Sequence, residues 1–240
     1  MKLIYIYHSC YAIEAEKCTI LIDFYKDQAE SKGKCIVRDH ILCRPGPLYI
    51  LSTHGHYDHF NPAVLTWREK RSDVHYVFSK DILDNEKVSP IDAVFLEKGE
   101  SFKDNRVHIN AFGSTDLGVS FFIETEGKRL FHAGDLNNWH WNEECTPQEA
   151  AENEDFFLKE LSFLAKHVSS LDLAMFPVDP RLGKDYMRGA EQFLDYIPTK
   201  LFAPMHFGIK YELANAFGAY AHAKGVRFAT WKKAGDSIEF

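Results

Sequence analysis

The sequence lacks any apolar run approaching the ~20 residues that a membrane-spanning helix requires, and its longest opening stretch, Met1 to Tyr7, is cut off at once by His8 and Ser9. That start is too short for a secretion signal. It also lacks an excess of positive charge: 28 Lys and Arg stand against 35 Asp and Glu, a net charge of -7. Broad affinity for nucleic-acid backbones or anionic bilayers depends on clustered cations, so neither partner is expected. Cysteine is sparse and unpaired in pattern. The five residues Cys10, Cys18, Cys35, Cys43 and Cys145 form an odd set without a Cys-x-x-Cys pair. A disulfide framework is not expected, and reduced thiols fit a cytoplasmic protein.

What is present is an ordinary globular composition, 45% hydrophobic and 26% charged over 240 residues. That length suits one domain spanning 1–240 with a sizeable core. Leu3 to Tyr7, Tyr11 to Ala15 and Thr19 to Asp23 read as strands at hairpin spacing. Residues 24 to 47 are rich in lysine and hold Gly33, Pro45, Gly46 and Pro47, the marks of a long loop or lid. Leu48 to Ser52 is a short buried strand, and Asn61-Pro62 caps a short helix carrying Val64, Leu65 and Trp67.

Alternation then predicts strands at Val74 to Phe78, Ala93 to Leu96, Val107 to Ala111, Val119 to Glu124 and Arg129 to His132. A long helix follows over Pro147 to Val168, with Phe157, Leu161, Leu164 and Val168 on one stripe. Beyond it, strands at Leu171 to Phe176, Leu201 to Ala203 and Val226 to Ala229 alternate with helices near Gly189 to Tyr196 and Tyr211 to Lys224. Two strand-rich stretches, each followed by helices, imply an α/β protein with two packed sheets and helices outside.

The densest chemistry is Thr53-His54-Gly55-His56-Tyr57-Asp58-His59, directly after a buried strand. His54 and His56 can converge on one ion from an extended loop, and Asp58 and His59 add an oxygen and a nitrogen. Imidazole with carboxylate suits zinc, with manganese or iron as alternatives. One loop rarely completes a catalytic site. Further donors stand at strand ends in Phe131-His132-Ala133-Gly134-Asp135 and Pro204-Met205-His206-Phe207.

With these three segments the chain resembles the metallo-β-lactamase-fold hydrolase superfamily along its whole length. Its opening, Tyr7-His8-Ser9-Cys10-Tyr11-Ala12-Ile13-Glu14, is similar to the branch containing L-ascorbate 6-phosphate lactonase. The resemblance implies a four-layer αββα sandwich of two mixed β-sheets, with one or two divalent ions at one edge. It implies that His54 and His56 hold a first metal, that Asp58, His59 and His206 hold a second, and that Asp135 bridges the two. Asp58 and His56 carry the catalytic assignment, with metal-bound hydroxide as nucleophile.

One departure stands out. The family places a third histidine for the first metal where this chain reads Phe112-Gly113-Ser114-Thr115-Asp116-Leu117-Gly118. Ser114, Asp116, His8, His140 or water could fill that position. Asn137, Trp139, His140, Trp141 and Asn142 are candidates for a pocket wall, and Arg181, Lys184 or Arg188 for holding a phosphate or carboxylate. The remaining histidines, His75, His108, His167 and His222, read as non-ligands.

The expected activity is hydrolysis of a small ester, lactone or phosphate-containing metabolite. Two alternatives stay open: a phosphodiesterase or nuclease of the same fold, and a non-catalytic metal-binding protein with a degenerate first site. The expected partner is a small-molecule substrate, and a homo-oligomer is left open.

Overall fold

The computed structural model describes residues 1–28, 33–85 and 88–240. Part of the lysine-rich stretch at 24–47 therefore lies outside the described residues. Among the described residues, fourteen strands form two sheets of seven. The first sheet uses β1 (Lys2–Tyr7), β2 (Cys10–Glu14), β3 (Thr19–Ile22), β4 (Leu48–Ser52), β5 (Val74–Ser79) and β6 (Val94–Leu96). The second uses β7 (Ser101–Lys103), β8 (Val107–Phe112), β9 (Ser120–Thr125), β10 (Lys128–His132), β11 (Leu171–Pro177), β12 (Thr199–Met205) and β13 (Arg227–Phe228). The last strand, β14 (Ser237–Glu239), crosses back to the edge of the first sheet.

Both sheets run through the same sequence of pairings. From β14 to β3 and from β7 to β10 the neighbours are antiparallel; from β3 to β6 and from β10 to β13 they are parallel. The two sheets are therefore mixed, as expected. The common pairing order is a correspondence between the halves that no residue repeat announces.

Successive side chains of a strand face opposite ways. Leu3 and Tyr5 of β1, with Ile20 and Ile22 of β3, join the core between the sheets, where Ile109, Phe121 and Ile123 meet them. Their neighbours Ile4, Ile6 and Leu21 face outward into a second core. That outer core is roofed by short helical turns through Ile36, Val37 and Ile41, by the 3-10 helix Pro62–Glu69 with Val64 and Trp67, and by Ile82. The stretch at 24–47, expected to be a long loop or lid, thus contributes packed apolar residues in its described part.

Two longer helices cover the second sheet. Pro147–His167 opens on a capping box in which the Thr146 side chain accepts from Glu149 N–H and the Glu149 carboxylate accepts from Thr146 N–H. Its Phe157 ring lies 6.3 Å from Phe176, and Phe193 of the helix Arg188–Tyr196 stacks 5.6 Å from Phe131. Burying one such phenylalanine contributes roughly 2–3 kcal/mol. The layers are helices, sheet, sheet, helices. The single helix predicted over Tyr211 to Lys224 is two, Tyr211–Ala216 and Gly218–Ala223, broken at Phe217, whose ring is fully buried.

Candidate metal centre

In sheets with parallel strands, ligand sites gather beyond the strands' carboxyl ends, and the donors sit there. Asp23 follows β3, the segment Thr53 to His59 follows β4, Asp135 follows β10, Asp179 follows β11 and His206 follows β12. His8 joins them from the turn between β1 and β2.

The structure brings all six residues expected to bind metal to this edge. His8, Asp58, His59 and His206 each present one ligand atom, all within 4.8 Å of one another, and His54, His56 and Asp135 form a second group of the same kind. Asp135 stands between the two. Its Oδ2 lies 3.3 Å from His54 Nε2, while its Oδ1 lies 3.1 Å from His59 Nε2 and 3.3 Å from His206 Nε2.

The pattern of hydrogen bonds tests whether these residues suit an ion. His8 Nε2, His54 Nε2, His59 Nε2, His206 Nε2 and Asp135 Oδ1 are all buried and have no hydrogen-bond partner. Leaving five such atoms unpaired is costly, each on the order of 1–3 kcal/mol. A cation accepting lone pairs from all of them removes that cost, so the donor set fits divalent metal.

The opposite ring nitrogens are tied down. His59 Nδ1 donates to Asp23 Oδ2 at 2.7 Å, and the same carboxylate accepts from Thr53 N–H at 2.8 Å and Thr53 Oγ1 at 2.7 Å. His206 Nδ1 donates to Asp179 Oδ2 at 2.9 Å, and Arg181 clamps Asp179 through its Nε and Nη2. His54 Nδ1 lies 3.1 Å from Thr53 Oγ1. Acceptors of this kind fix ring orientation and make the inward nitrogen a better donor.

The electrostatics agree. Burial opposes charge on Asp135, but His59 and His206 outweigh it and hold the carboxyl well below its usual range. Burial likewise works against a charged His59, yet Asp135 and Asp23 raise it well above the usual imidazole range. Without metal, a proton on His59 occupies the position of positive charge between two carboxylates. Burial and the neighbouring His206 lower His8 to about 4, against the pull of Asp58.

At the position of the missing histidine, Asp116 lies 3.8 Å from His56 Nδ1, with both side chains about half exposed. Ser114 Oγ accepts from Asp116 N–H. His140 is turned away, its Nε2 on the Asp185 carbonyl and its Nδ1 accepting from Asn142 N–H. His8 belongs with the second group of donors rather than the first.

A cleft of about 370 Å³ opens beside the centre, lined by Tyr7, Tyr25, Tyr57, Arg181, Ile209 and Lys210 among others. The aromatic wall thus comes from three tyrosines and Phe207. Of the segment expected to form it, Trp139 packs against the His206 ring at 5.5 Å and Trp141 stacks on Trp139 at 6.1 Å. Arg181 does line the cleft.

Asp23, Asp179 and Thr53 were not legible as functional residues. The available signal was register: Ile22 pairs with Leu51, which sets Asp23 beside the start of the histidine loop.

Two mixed sheets between helices, with donors converging at one edge, define the class of metal-dependent hydrolases with the metallo-β-lactamase fold. Residues 2–151 match the beta-lactamase superfamily domain, and the chain belongs to that superfamily. It is 23% identical over 217 residues to a UPF0173 metal-dependent hydrolase of Thermoplasma volcanium, covering 86% of this chain and 83% of that one. Among solved structures it is similar to Igni18, a metallo hydrolase of Ignicoccus hospitalis, with a TM-score of 0.69, 18% identity, and coverage of 100% and 98%. It is also similar to CmlA, a diiron beta-hydroxylase of Streptomyces venezuelae, with a TM-score of 0.70 and 14% identity, covering all of this chain and 54% of that one. Among the described residues no helix is long and apolar enough to cross a membrane.

Proposed function

We propose that the protein hydrolyses a small ester, lactone or phosphate-bearing molecule at a centre holding two divalent ions. His54, His56 and Asp135 would hold one ion; Asp58, His59, His206 and the other oxygen of Asp135 would hold the second. The observation that carries this reading is the convergence of His54 Nε2, His59 Nε2, His206 Nε2 and Asp135 Oδ1, all buried and unpaired. Zinc is the ion proposed, because the donor set is rich in imidazole; manganese and iron suit the same groups.

Divalent ions there would supply Lewis acidity and lower the pKa of a bound water towards about 7. The protein's own groups do the rest. Asp58 is held ionised, burial notwithstanding, by its contact with His8 and by His59, so at neutral pH it is an acceptor able to orient the attacking water. Tyr7, Tyr25 and Tyr57 give the substrate an apolar wall, while Lys210 at the cleft's rim offers a cation to an anionic group. Arg181 is already paired with Asp179, which commits it to holding His206 in place.

The cleft's size suits a small molecule, and the net charge of -7 counts against a nucleic-acid backbone. Free cysteines, two of them buried, fit a reducing cytoplasm.

The test pairs metal analysis of the purified protein with turnover of lactones, phosphate monoesters and phosphodiesters. Loss of metal and of turnover in His59→Ala and Asp135→Ala is expected. Bound metal without turnover on any ester class would favour a metal-binding module, and turnover of phosphodiesters alone would favour the phosphodiesterase. A protein that binds no metal and keeps its activity in His56→Ala would overturn the proposal.

A further inference from the structure

The cleft beside the centre shares a wall with a second one. Ile209 and Lys210, which line the first, also line a cleft of about 530 Å³ whose other faces are Tyr211, Leu213 and Trp231. The divide between the two is a tight turn after β12. Lys210 N–H donates to the Phe207 carbonyl at 2.9 Å, and Gly208 within the turn has φ of 56°, a conformation that glycine adopts without strain. Ile209 stands on this turn, 76% exposed.

A row of rings ties the clefts together. Tyr5 Oη donates to the Gly208 carbonyl at 3.4 Å, and the Tyr5 ring stacks on Phe207 at 5.3 Å and on Trp231 at 5.7 Å. Phe207 lines the first cleft and Trp231 the second, so one stack of aromatic rings reaches from one to the other. Trp231 is fixed on three sides: its backbone N–H donates to Asn215 Oδ1 at 3.1 Å, its carbonyl accepts from Asn215 Nδ2 at 2.7 Å, and its indole N–H donates to Tyr11 Oη at 2.8 Å. The second cleft is therefore preformed.

Large apolar side chains stand exposed along the whole path: Tyr57 at 74% in the first cleft, Ile209 at 76% on the divide and Leu213 at 44% in the second. A single exposed apolar residue is ordinary; a succession of them through two adjoining clefts beside a reactive centre is a surface that a hydrocarbon chain can cover. The charged groups of the second cleft, Lys210, Glu212 and Lys232, do not oppose this, because lysine stems lie along such a chain while their ammonium groups stay in water.

We propose that the substrate is amphipathic: its scissile group sits at the metal centre and a hydrocarbon arm, acyl or alkyl, crosses Ile209 into the second cleft. This deepens the hydrolase reading above and rests on it. Volume favours the longer molecule. The first cleft, at about 370 Å³, is near the small end of the range of ligand sites, roughly 300–1,000 Å³, and the second offers more room than the first. A substrate confined to the first cleft leaves Leu213 and Trp231 without a role.

Binding of simple chain-bearing anions tests this without depending on turnover. The full chain, supplied with zinc and 13C-labelled at its isoleucine and leucine methyls, is titrated with acetate, hexanoate and decanoate. Affinity should rise about 2–4-fold for each methylene that enters the clefts, and the Leu213 methyls should shift with decanoate but not with acetate. Leu213→Asp should weaken decanoate about 10-fold or more. Ile209→Ser, at a position too exposed to disturb folding, should weaken it about 3–10-fold. Equal affinity along the series, or a decanoate advantage that survives both variants, overturns the inference and leaves the hydrolase reading standing. The chain-length rise without turnover of any ester, lactone or phosphate class overturns the hydrolase reading instead, and leaves the paired clefts as a binding site for such chains.

Discussion

Asp23→Asn changes one atom of a side chain that never touches solvent, and its consequence can be followed bond by bond. The carboxylate accepts three hydrogen bonds: Thr53 N–H on Oδ1, and Thr53 Oγ1–H and His59 Nδ1–H on Oδ2. An amide has only one acceptor atom. With its nitrogen at the Oδ1 position, it faces the Thr53 N–H and leaves a buried backbone donor unpaired, at about 1–3 kcal/mol of stability. With its nitrogen at the Oδ2 position, it donates into His59 Nδ1 and drives the His59 proton onto Nε2, the atom an ion needs. Asparagine resolves one conflict by creating the other.

The expected result is metal binding weakened about 10–100-fold, or about 1.4–2.7 kcal/mol. Competition against a chelating dye measures the affinity, and unfolding by denaturant in the presence of chelator measures the stability separately. The 15N shifts of His59 report its tautomer. Wild-type affinity together with an unchanged His59 tautomer would refute the reasoning, because it would mean that the buried carboxylate does not set the ring.

Gly118→Ala should be damaging, because Gly118 has φ of +72° and an added Cβ would lie 2.2 Å from the Thr53 carbonyl and 2.5 Å from His54 Cβ. The left-handed backbone and the overpacking together should cost about 2–5 kcal/mol and displace His54; denaturant unfolding with native stability and full metal loading would contradict this. Acid should destabilise the protein through Asp179, whose carboxyl His206 and Arg181 lower to about 2 against burial. A depressed carboxylate contributes stability above its unfolded value of about 3.9 and loses it as pH falls through about 2, here about 2 kcal/mol. Stability measured against pH should therefore fall less steeply between about 4 and 2 in Asp179→Asn than in wild type, and identical slopes would count against it.

The strands were the most legible part of the fold, since β-branched and aromatic alternation located Leu48–Ser52 to the residue and most others within one or two. Ser101–Lys103 and Ser237–Glu239 escaped notice because each carries a single apolar side chain, Phe102 or Ile238, between polar ones, whereas the equally short edge strand Val94–Leu96 is apolar throughout. The helix break at Phe217 was invisible for a different reason: the apolar spacing continues through it, and Phe217 itself keeps helical backbone angles, φ -61° and ψ -21°. Near the centre, the histidine loop announced itself, whereas Asp23 and Asp179 read as ordinary strand-end residues. Their role depends on which strands lie side by side, and that is a long-range fact.

The repeated pairing order of the two sheets bears on how the molecule comes together. His54, His56, Asp58 and His59 hang from the first sheet, and Asp135 and His206 from the second. An ion gripped by His59 and Asp135 is then a rivet through two plates, and neither plate alone carries a full set of holes for it. Loading at a thousand times the dissociation constant would clamp the assembled state by about 4 kcal/mol per site. A chelator, by the same logic, should loosen the seam between the sheets before it loosens either sheet.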